Sequence, residues 1–191
     1  TVSASDGDLA ATQDLTVVVT NVEGAPVFIT PVTLTADENQ THVVMLSVSD
    51  DEHDQLSLSL TGGADQSAFT LTEAGLLTFN SAPDFEVKQS YSLTVTAIET
   101  HTQSGIVISQ PQSTVQDFTV TINDVNEVPT ALSLDGMTVA ENAAGAEIGT
   151  ITVTDPDAND SHDLSLSGAD SELFEIVGGQ LKLKDRVSAD Y

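Results

Sequence analysis

Two proline-ended tethers, spaced one domain apart, constrain this chain more than any other feature. In Thr121-Ile122-Asn123-Asp124-Val125-Asn126-Glu127-Val128-Pro129 an alternating apolar run (Phe118, Val120, Ile122) stops and becomes a short stretch of oxygen donors. Alternation puts those three side chains on one face of a strand. An earlier version, Val19-Thr20-Asn21-Val22-Glu23-Gly24-Ala25-Pro26, follows the run Leu15, Val17, Val19, so the two prolines stand 103 residues apart. That period is the size of one β-sandwich domain. Asp124, Asn126 and Glu127 collect hard oxygen donors with no basic residue beside them, which suits a divalent cation.

Between the tethers the pattern is one of short strands separated by turn residues, which argues for an all-β sandwich rather than a helical or alternating α/β fold. Strands are expected to begin near Val32, Thr41, Leu56, Ala68, Leu76, Ser90 and Ser113. Val44, Leu46 and Val48 form one period-two face, and Tyr91, Leu93, Val95 and Ala97 another. Within Glu99 to Gln112, Gly105-Ile106-Val107-Ile108 either extends a hairpin or covers an edge, and Pro111 rules out a long strand.

After Pro129 the pattern restarts. Val48-Ser49-Asp50-Asp51-Glu52 corresponds to Val153-Thr154-Asp155-Pro156-Asp157, Ala64 to Phe69 corresponds to Ala169 to Phe174, and Gly75-Leu76-Leu77 corresponds to Gly179-Gln180-Leu181. The chain therefore reads as an internal repeat. Residues 25–128 form one complete copy, and residues 129–191 hold the N-terminal part of a following copy, without its last two strands. Residues 1–24 read as the end of one strand and a second strand over Thr12 to Val22, the C-terminal strands of a preceding copy, since two strands alone bury no core.

Composition removes several function classes. Apolar residues make up 39% of the 191, enough for one ordinary core and part of another. The formal charge is −26, with 30 acidic residues against Lys88, Lys182, Lys184 and Arg186. A surface of that sign repels nucleic acid and anionic membrane, and it repels itself unless cations neutralise part of it. Cysteine is absent, which excludes disulfides and thiolate metal sites. No apolar run reaches the roughly 18 residues of a membrane helix, and the first residues do not read as a signal segment. A signal or anchor is expected outside these residues.

The acidic residues fall at strand ends: Asp37-Glu38-Asn39, Asp50-x-Glu52, Asp84-x-Glu86, Glu99 and Asp124-x-Asn126-Glu127. Any one of them alone is a solvated turn residue. Their joint order matters, because calcium takes six to eight oxygens at about 2.3–2.6 Å and loops at one end of a sandwich can supply them from distant positions. In this order the chain resembles tandem cadherin repeats, of the cysteine-free kind found in bacterial surface adhesins. Glu38, and Glu141 in Val139-Ala140-Glu141-Asn142-Ala143, resemble the family's buried-edge glutamate. Asp84 and Glu86 resemble its Asp-x-Glu pair, Asp124-Val125-Asn126-Glu127 its interrepeat linker, and Asp155 and Asp157 its Asp-x-Asp pair. Ala4-Ser5-Asp6 and Ala97-Ile98-Glu99 resemble its late-strand Ala-x-Asp, the latter with glutamate substituted.

The resemblance implies an all-β fold of tandem seven-stranded Greek-key β-sandwiches, one complete and two partial. It implies calcium at a junction formed by Glu38, Asp84, Glu86, Asp124, Asn126 and Glu127 with Asp155 and Asp157. An earlier, weaker junction would use Asn21, Glu23, Asp50, Glu52 and Glu99. The linker is one residue shorter than the family's and has glutamate for its second aspartate. The implied function is that of a non-enzymatic, calcium-binding, extracellular segment of a cell-surface adhesin, a rigid spacer or adhesive region. Its partners would be the neighbouring repeats, a second copy meeting homophilically or head to tail, and a cell-surface glycan or protein, with no nucleic acid. The alternative is a carbohydrate-binding or accessory module of a secreted multidomain protein. The absence of tryptophan and the presence of only Tyr91 and Tyr191 give that alternative no stacking platform. His53-Asp54 and His162-Asp163 recur at equivalent places and suggest zinc, but two such pairs in separate domains supply no converging third ligand, so no zinc site is expected. Ser, His and Asp occur without a nucleophile-elbow glycine pattern. Asn39-Gln40-Thr41 and Asn159-Asp160-Ser161 fit the glycosylation pattern, which matters only in a eukaryotic secretory cell.

Overall fold

A computed structural model describes residues 1–18, 24–50, 55–100, 102–103, 106–107, 110–158 and 160–190. Two compact units are present: one of residues 1–35, 41–81 and 90–121, the other of residues 36–40, 82–89 and 122–191.

The first unit opens with a hairpin of β1 (Val2–Ser5) and β2 (Ala10–Gln13), exposed along its whole length. The strand expected over Thr12 to Val22 is therefore confined among the described residues to Ala10–Gln13, because a two-stranded ribbon has no third strand or packed face to extend it. Next come β3 (Val27–Phe28), β4 (Thr33–Asp37), β5 (His42–Met45), β6 (Val48–Ser49), β7 (Gln55–Gly62), β8 (Phe69–Leu71), β9 (Leu76–Phe79) and β10 (Ser90–Thr100). Then follow β11 (Thr102–Gln103), β12 (Ile106–Val107) and β13 (Ser113–Asn123). The starts of β4, β5, β7, β8, β9, β10 and β13 each fall within one residue of the expected positions. β11 and β12 pair with each other, so the segment around Ile106 forms a small hairpin.

A four-stranded sheet in the order β4-β13-β10-β7 and a three-stranded sheet in the order β5-β9-β8 make up the seven-stranded sandwich. The chain crosses between the sheets from β4 to β5, β5 to β7, β7 to β8 and β9 to β10, and β13 returns to lie beside β4, the long return of a Greek key. Leu93, Val95, Ala97, Phe118 and Val120 are no more than 1% exposed, and Val43, Leu77, Phe69 and Phe79 of the other layer are no more than 6% exposed. Tyr91 joins this core: its ring lies 5.0 Å from Phe79 and 6.0 Å from Phe69, edge to face in both cases.

One expected face differs. Val43 and Leu46 are buried at 6% and 5%, whereas Val44 and Val48 are half-buried. The pairing of β5 with β9 shifts register between His42 and Val44, and such a bulge breaks strict alternation by spending an extra residue on one strand. Gly63 marks the tightest crossing of the unit, since at φ +95° a side-chain carbon there would lie 2.3 Å from the Leu93 Cα.

The second unit contains β14 (Ala131–Leu134), β15 (Glu147–Thr154), β16 (Phe174–Val177) and β17 (Gln180–Leu183), in the sheet order β14-β15-β17-β16. Local structure repeats that of the first copy. A short 3₁₀ turn precedes β16 at Ser171–Leu173 as one precedes β8 at Gln66–Ala68. Asn142, at φ 61°, donates its N–H to the Ala189 carbonyl at 2.8 Å, as Asn39, at φ 60°, donates to Pro83 at 3.0 Å. Leu183, 4% exposed, is the one fully buried apolar side chain of residues 129–190 among those described, and Leu166 and Leu173 stay 38% and 44% exposed. The reason is topological: among the described residues this copy has four strands, with none at the positions equivalent to β4 and β7 and no equivalents of β10 and β13, whose Leu93, Val95, Phe118, Val120 and Ile122 are among the most deeply buried side chains of the first copy.

Candidate metal centre

Glu38 is the anchor of the site. It follows the last residue of β4, is 2% exposed, and donates its N–H to the Asn123 carbonyl at 3.1 Å. Its carboxylate accepts two backbone bonds: Oε2 from Phe85 N–H and Oε1 from Val125 N–H, both at 2.9 Å. The side chain thus ties the turn carrying Glu86 to the segment carrying Asp124. Asn39, in the left-handed conformation that asparagine tolerates, adds a bond from Nδ2 to Glu127 Oε1 at 2.8 Å. Asn123 Nδ2 reaches Asp37 Oδ1 at 2.9 Å.

Around this anchor Glu38, Glu86, Asp124 and Asp157 bring carboxylate oxygens to within 4.8 Å of one another. Asp155, Asp157 and Asp160 form a second group on the same criterion, so Asp157 belongs to both. Asp157 is 8% exposed, and its Oδ2 accepts Glu127 N–H. Its Oδ1 is buried without a hydrogen-bond partner, as is Asp155 Oδ2, while Asp155 Oδ1 accepts Asp157 N–H at 3.0 Å.

Like charges gathered this closely resist ionisation. The Glu86 carboxyl is pushed above its ordinary value, first by loss of water around it and then by the charges of Glu38, Asp124 and Glu127. Asp124 is pushed up in the same way, by desolvation first and then by its hydrogen bond with Asp157 and the charges of Asp157, Glu38 and Asp160. Both side chains keep exposed surface, so the water they lose is displaced by crowding of their neighbours rather than by burial in the core. Two carboxylates about 4 Å apart repel by about 1 kcal/mol in water and about 4 kcal/mol near a protein surface. Lys182 pairs with Glu175 and Asp185, and Lys184 with Glu172, so these cations are engaged elsewhere. An oxygen-only donor set with two buried, unpartnered aspartate oxygens fits a hard divalent cation.

The expected ligands separate into those that converge and those that do not. Asp84 is exposed and stands outside both groups, its Oδ1 accepting Val87 N–H at 2.9 Å to close the turn before Glu86. Asn126 is exposed and donates from Nδ2 to the Glu127 carbonyl. Glu127 serves through its backbone N–H on Asp157 while its carboxylate holds Asn39. Of the earlier set, Asp50 is half-buried and Glu99 is 1% exposed, and Asn21, Glu23 and Glu52 lie outside the described residues. Glu141, the counterpart of Glu38, is exposed and lines a cavity of about 420 Å³ with Val139, Ala189 and Asp190. Asp160 was missed. Its signal was the Asp155-x-Asp157-x-x-Asp160 spacing in the loop that follows β15.

Substituting Asp124 by asparagine is expected to act with opposite signs in the two metal states. With calcium present the variant melts lower than wild type because a charged ligand is gone. In chelator it melts higher, because the poorly hydrated charge whose desolvation and repulsion by its neighbours raise the Asp124 pKa is gone. The same raised values make the wild-type chain in chelator gain stability as pH falls from neutrality through them, since the fold then binds protons that the unfolded chain does not yet hold. Melting curves of both proteins at neutral and mildly acidic pH, with and without chelator, check both signs.

A seven-stranded antiparallel sandwich of this strand order is an architecture that many cell-surface modules share. Human protocadherin-20 is 32% identical over 180 residues, covering 88% of this chain. The chain spans 18% of that relative's length. Among solved structures, a protocadherin gammaB7 EC3-6 cis-dimer matches with a TM-score of 0.63, 20% identity, and coverage of 96% of this chain and 49% of that one. Human protocadherin-24 EC1-2 matches with a TM-score of 0.59, 18% identity, and coverage of 85% and 78%. No family model matches. The chain belongs with the cadherin repeat proteins.

Proposed function

We propose that this chain is a calcium-binding extracellular repeat segment of a large cell-surface adhesion protein, in which bound cations stiffen the linker around Val125. The observation that carries this reading is the convergence of Glu38, Glu86, Asp124 and Asp157, three of them drawn from segments before the linker proline and one from after it. Without cations these carboxylates repel. With calcium each ion is shared by them, and repulsion becomes a crosslink that fixes the path of the chain. Repeats divided at residues 24/25 and 128/129 then act as successive stiff members, a division supported by the recurring element order. Relatives of this chain are adhesion proteins rather than enzymes. The adhesive contact itself is proposed to be with a second copy. The structure of protocadherin gammaB7 EC3-6 is a cis-dimer, which supports self-association. Among the described residues no helix is long and apolar enough to cross a membrane.

Calcium is expected to raise the melting temperature by mass action. Extracellular modules bind calcium at about 10⁻⁴–10⁻³ M. At about tenfold above the dissociation constant each ion contributes roughly 1.4 kcal/mol, or about 3–6 °C for a chain of this size. Scanning calorimetry across a calcium titration measures it. Identical curves in chelator and in millimolar calcium would refute the reading.

A further inference from the structure

We propose that Asn39 is a positioning residue that keeps the Glu127 carboxylate out of the ligand set, and so limits how tightly the group of Glu38, Glu86, Asp124 and Asp157 holds its cation. The inference rests on the reading of that group as a calcium position and adds what sets its affinity. Glu127 stands where a ligand could. Its backbone N–H is bonded to Asp157 Oδ2, a side chain of the group, and its charge is felt at Glu86. Its carboxylate nevertheless stays outside the oxygens that gather within 4.8 Å of one another. The bond that occupies it runs from Asn39 Nδ2 to Glu127 Oε1, at 2.8 Å.

Asn39 is itself fixed. It follows the anchor Glu38, sits at φ 60° and donates its N–H to the Pro83 carbonyl at 3.0 Å, so its amide projects from a turn that is held at both ends. The turn alone accounts for an asparagine here, since Asn142 repeats the same backbone geometry at φ 61°. What Asn39 adds is the side-chain bond to a residue 88 positions away. A bond to an ionised carboxylate is among the stronger kinds, and it competes directly with a cation for the same oxygen. The path of the linker does not depend on it, because Val125 N–H is bonded to Glu38 Oε1 and Glu127 N–H to Asp157. Loss of the amide therefore frees one side chain and leaves the backbone where it is. Calcium takes about six to eight oxygens and binds more tightly as charged ligands are added. Four carboxylates, one of them shared with Asp155 and Asp160, leave room for another.

The test is titration calorimetry with calcium chloride on the full chain, wild type against Asn39→Gly, Glu127→Gln and the double variant. Glycine adopts the left-handed turn without strain, so Asn39→Gly removes the amide and keeps the fold. Its calcium affinity is expected to rise by about fivefold to tenfold, and the double variant to lose that gain. Glu127→Gln alone should change affinity by less than about threefold, through its distant charge only. In chelator Asn39→Gly should melt below wild type, since the freed carboxylate then meets only like charges, and Glu127→Gln in the same chain should restore part of the loss. The carboxyl carbon resonance of Glu127 should keep its position on calcium saturation of wild type and move in Asn39→Gly. A calcium affinity that is unchanged or weaker in Asn39→Gly would overturn the proposal, as would a gain that persists with glutamine at position 127. A loss in Glu127→Gln as large as in Asp124→Asn would overturn it too, by making Glu127 a ligand in wild type. Calcium binding that depends on Asp124 but is indifferent to Asn39 removes this inference and keeps the calcium reading, whereas a wild-type chain that binds no calcium removes both.

Discussion

Asp157→Asn is expected to cost the chain most of its calcium response, more than any other single substitution that leaves the fold in place. The reason is that Asp157 is common to both carboxylate groups. Asparagine keeps an oxygen able to accept the Glu127 N–H, so the local backbone need not move. What it removes is the charge of a side chain that is 8% exposed and whose second oxygen faces the cluster without a hydrogen-bond partner. A substituted amide puts N–H₂ where the cation needs a lone pair. Removal of groups that merely orient a metal ligand already costs about 10–100-fold in affinity, and loss of a ligand shared by two positions should reach the top of that range or pass it. Calorimetric calcium titration should show both binding events weakened together, and the calcium-dependent rise in melting temperature should largely vanish. If only one event weakens, the two groups do not share this residue, and the geometry that links them is wrong.

The candidate site was legible in outline from strand ends, and the limits of that legibility have a physical source. Period-two apolar runs located β10 and β13 and their inward faces, because Leu93, Val95, Ala97 and Phe118, Val120, Ile122 answer to burial alone. Val44 misled because a bulge between His42 and Val44 is a property of pairing with β9, which no local pattern records. The same distinction runs through the ligands. Glu38, Glu86, Asp124 and Asp157 bring their carboxylates together, but Asp84 and Glu127 spend their side chains on Val87 and Asn39. A carboxylate at a strand end has two competing uses, closing its own turn or reaching a distant cluster. Spacing cannot decide between them. Asp160 shows the converse: it stands outside the strand-end set, and the loop after β15 brings its carboxylate within 4.8 Å of those of Asp155 and Asp157.

Glu38→Ala should be the most damaging change to the fold itself near the site, and it should damage the chain even in chelator. Glu38 is 2% exposed and accepts from both Phe85 N–H and Val125 N–H at 2.9 Å. Alanine leaves two backbone donors facing a small void. Each unsatisfied buried donor costs about 1–3 kcal/mol, so the pair costs about 2–6 kcal/mol, less whatever water enters to bond them. Against that stands the relief of removing one charge from a crowded group, which is real because Glu38 is among the charges that raise both Glu86 and Asp124. Relief of repulsion at a partly exposed cluster is the smaller quantity, since water screens it, whereas two backbone bonds are lost in part even where water reaches the donors. The net sign in chelator is therefore destabilising, opposite to the sign expected for Asp124→Asn. Glu38→Gln separates the two contributions: its single carbonyl restores one acceptor and its amide removes the charge, so its melting temperature in chelator should fall between wild type and alanine. Denaturant melts of the three proteins in chelator and in calcium measure the order. A Glu38→Ala chain that is as stable as wild type in chelator would show that the carboxylate is held there for the cation alone and does not tie the two segments together.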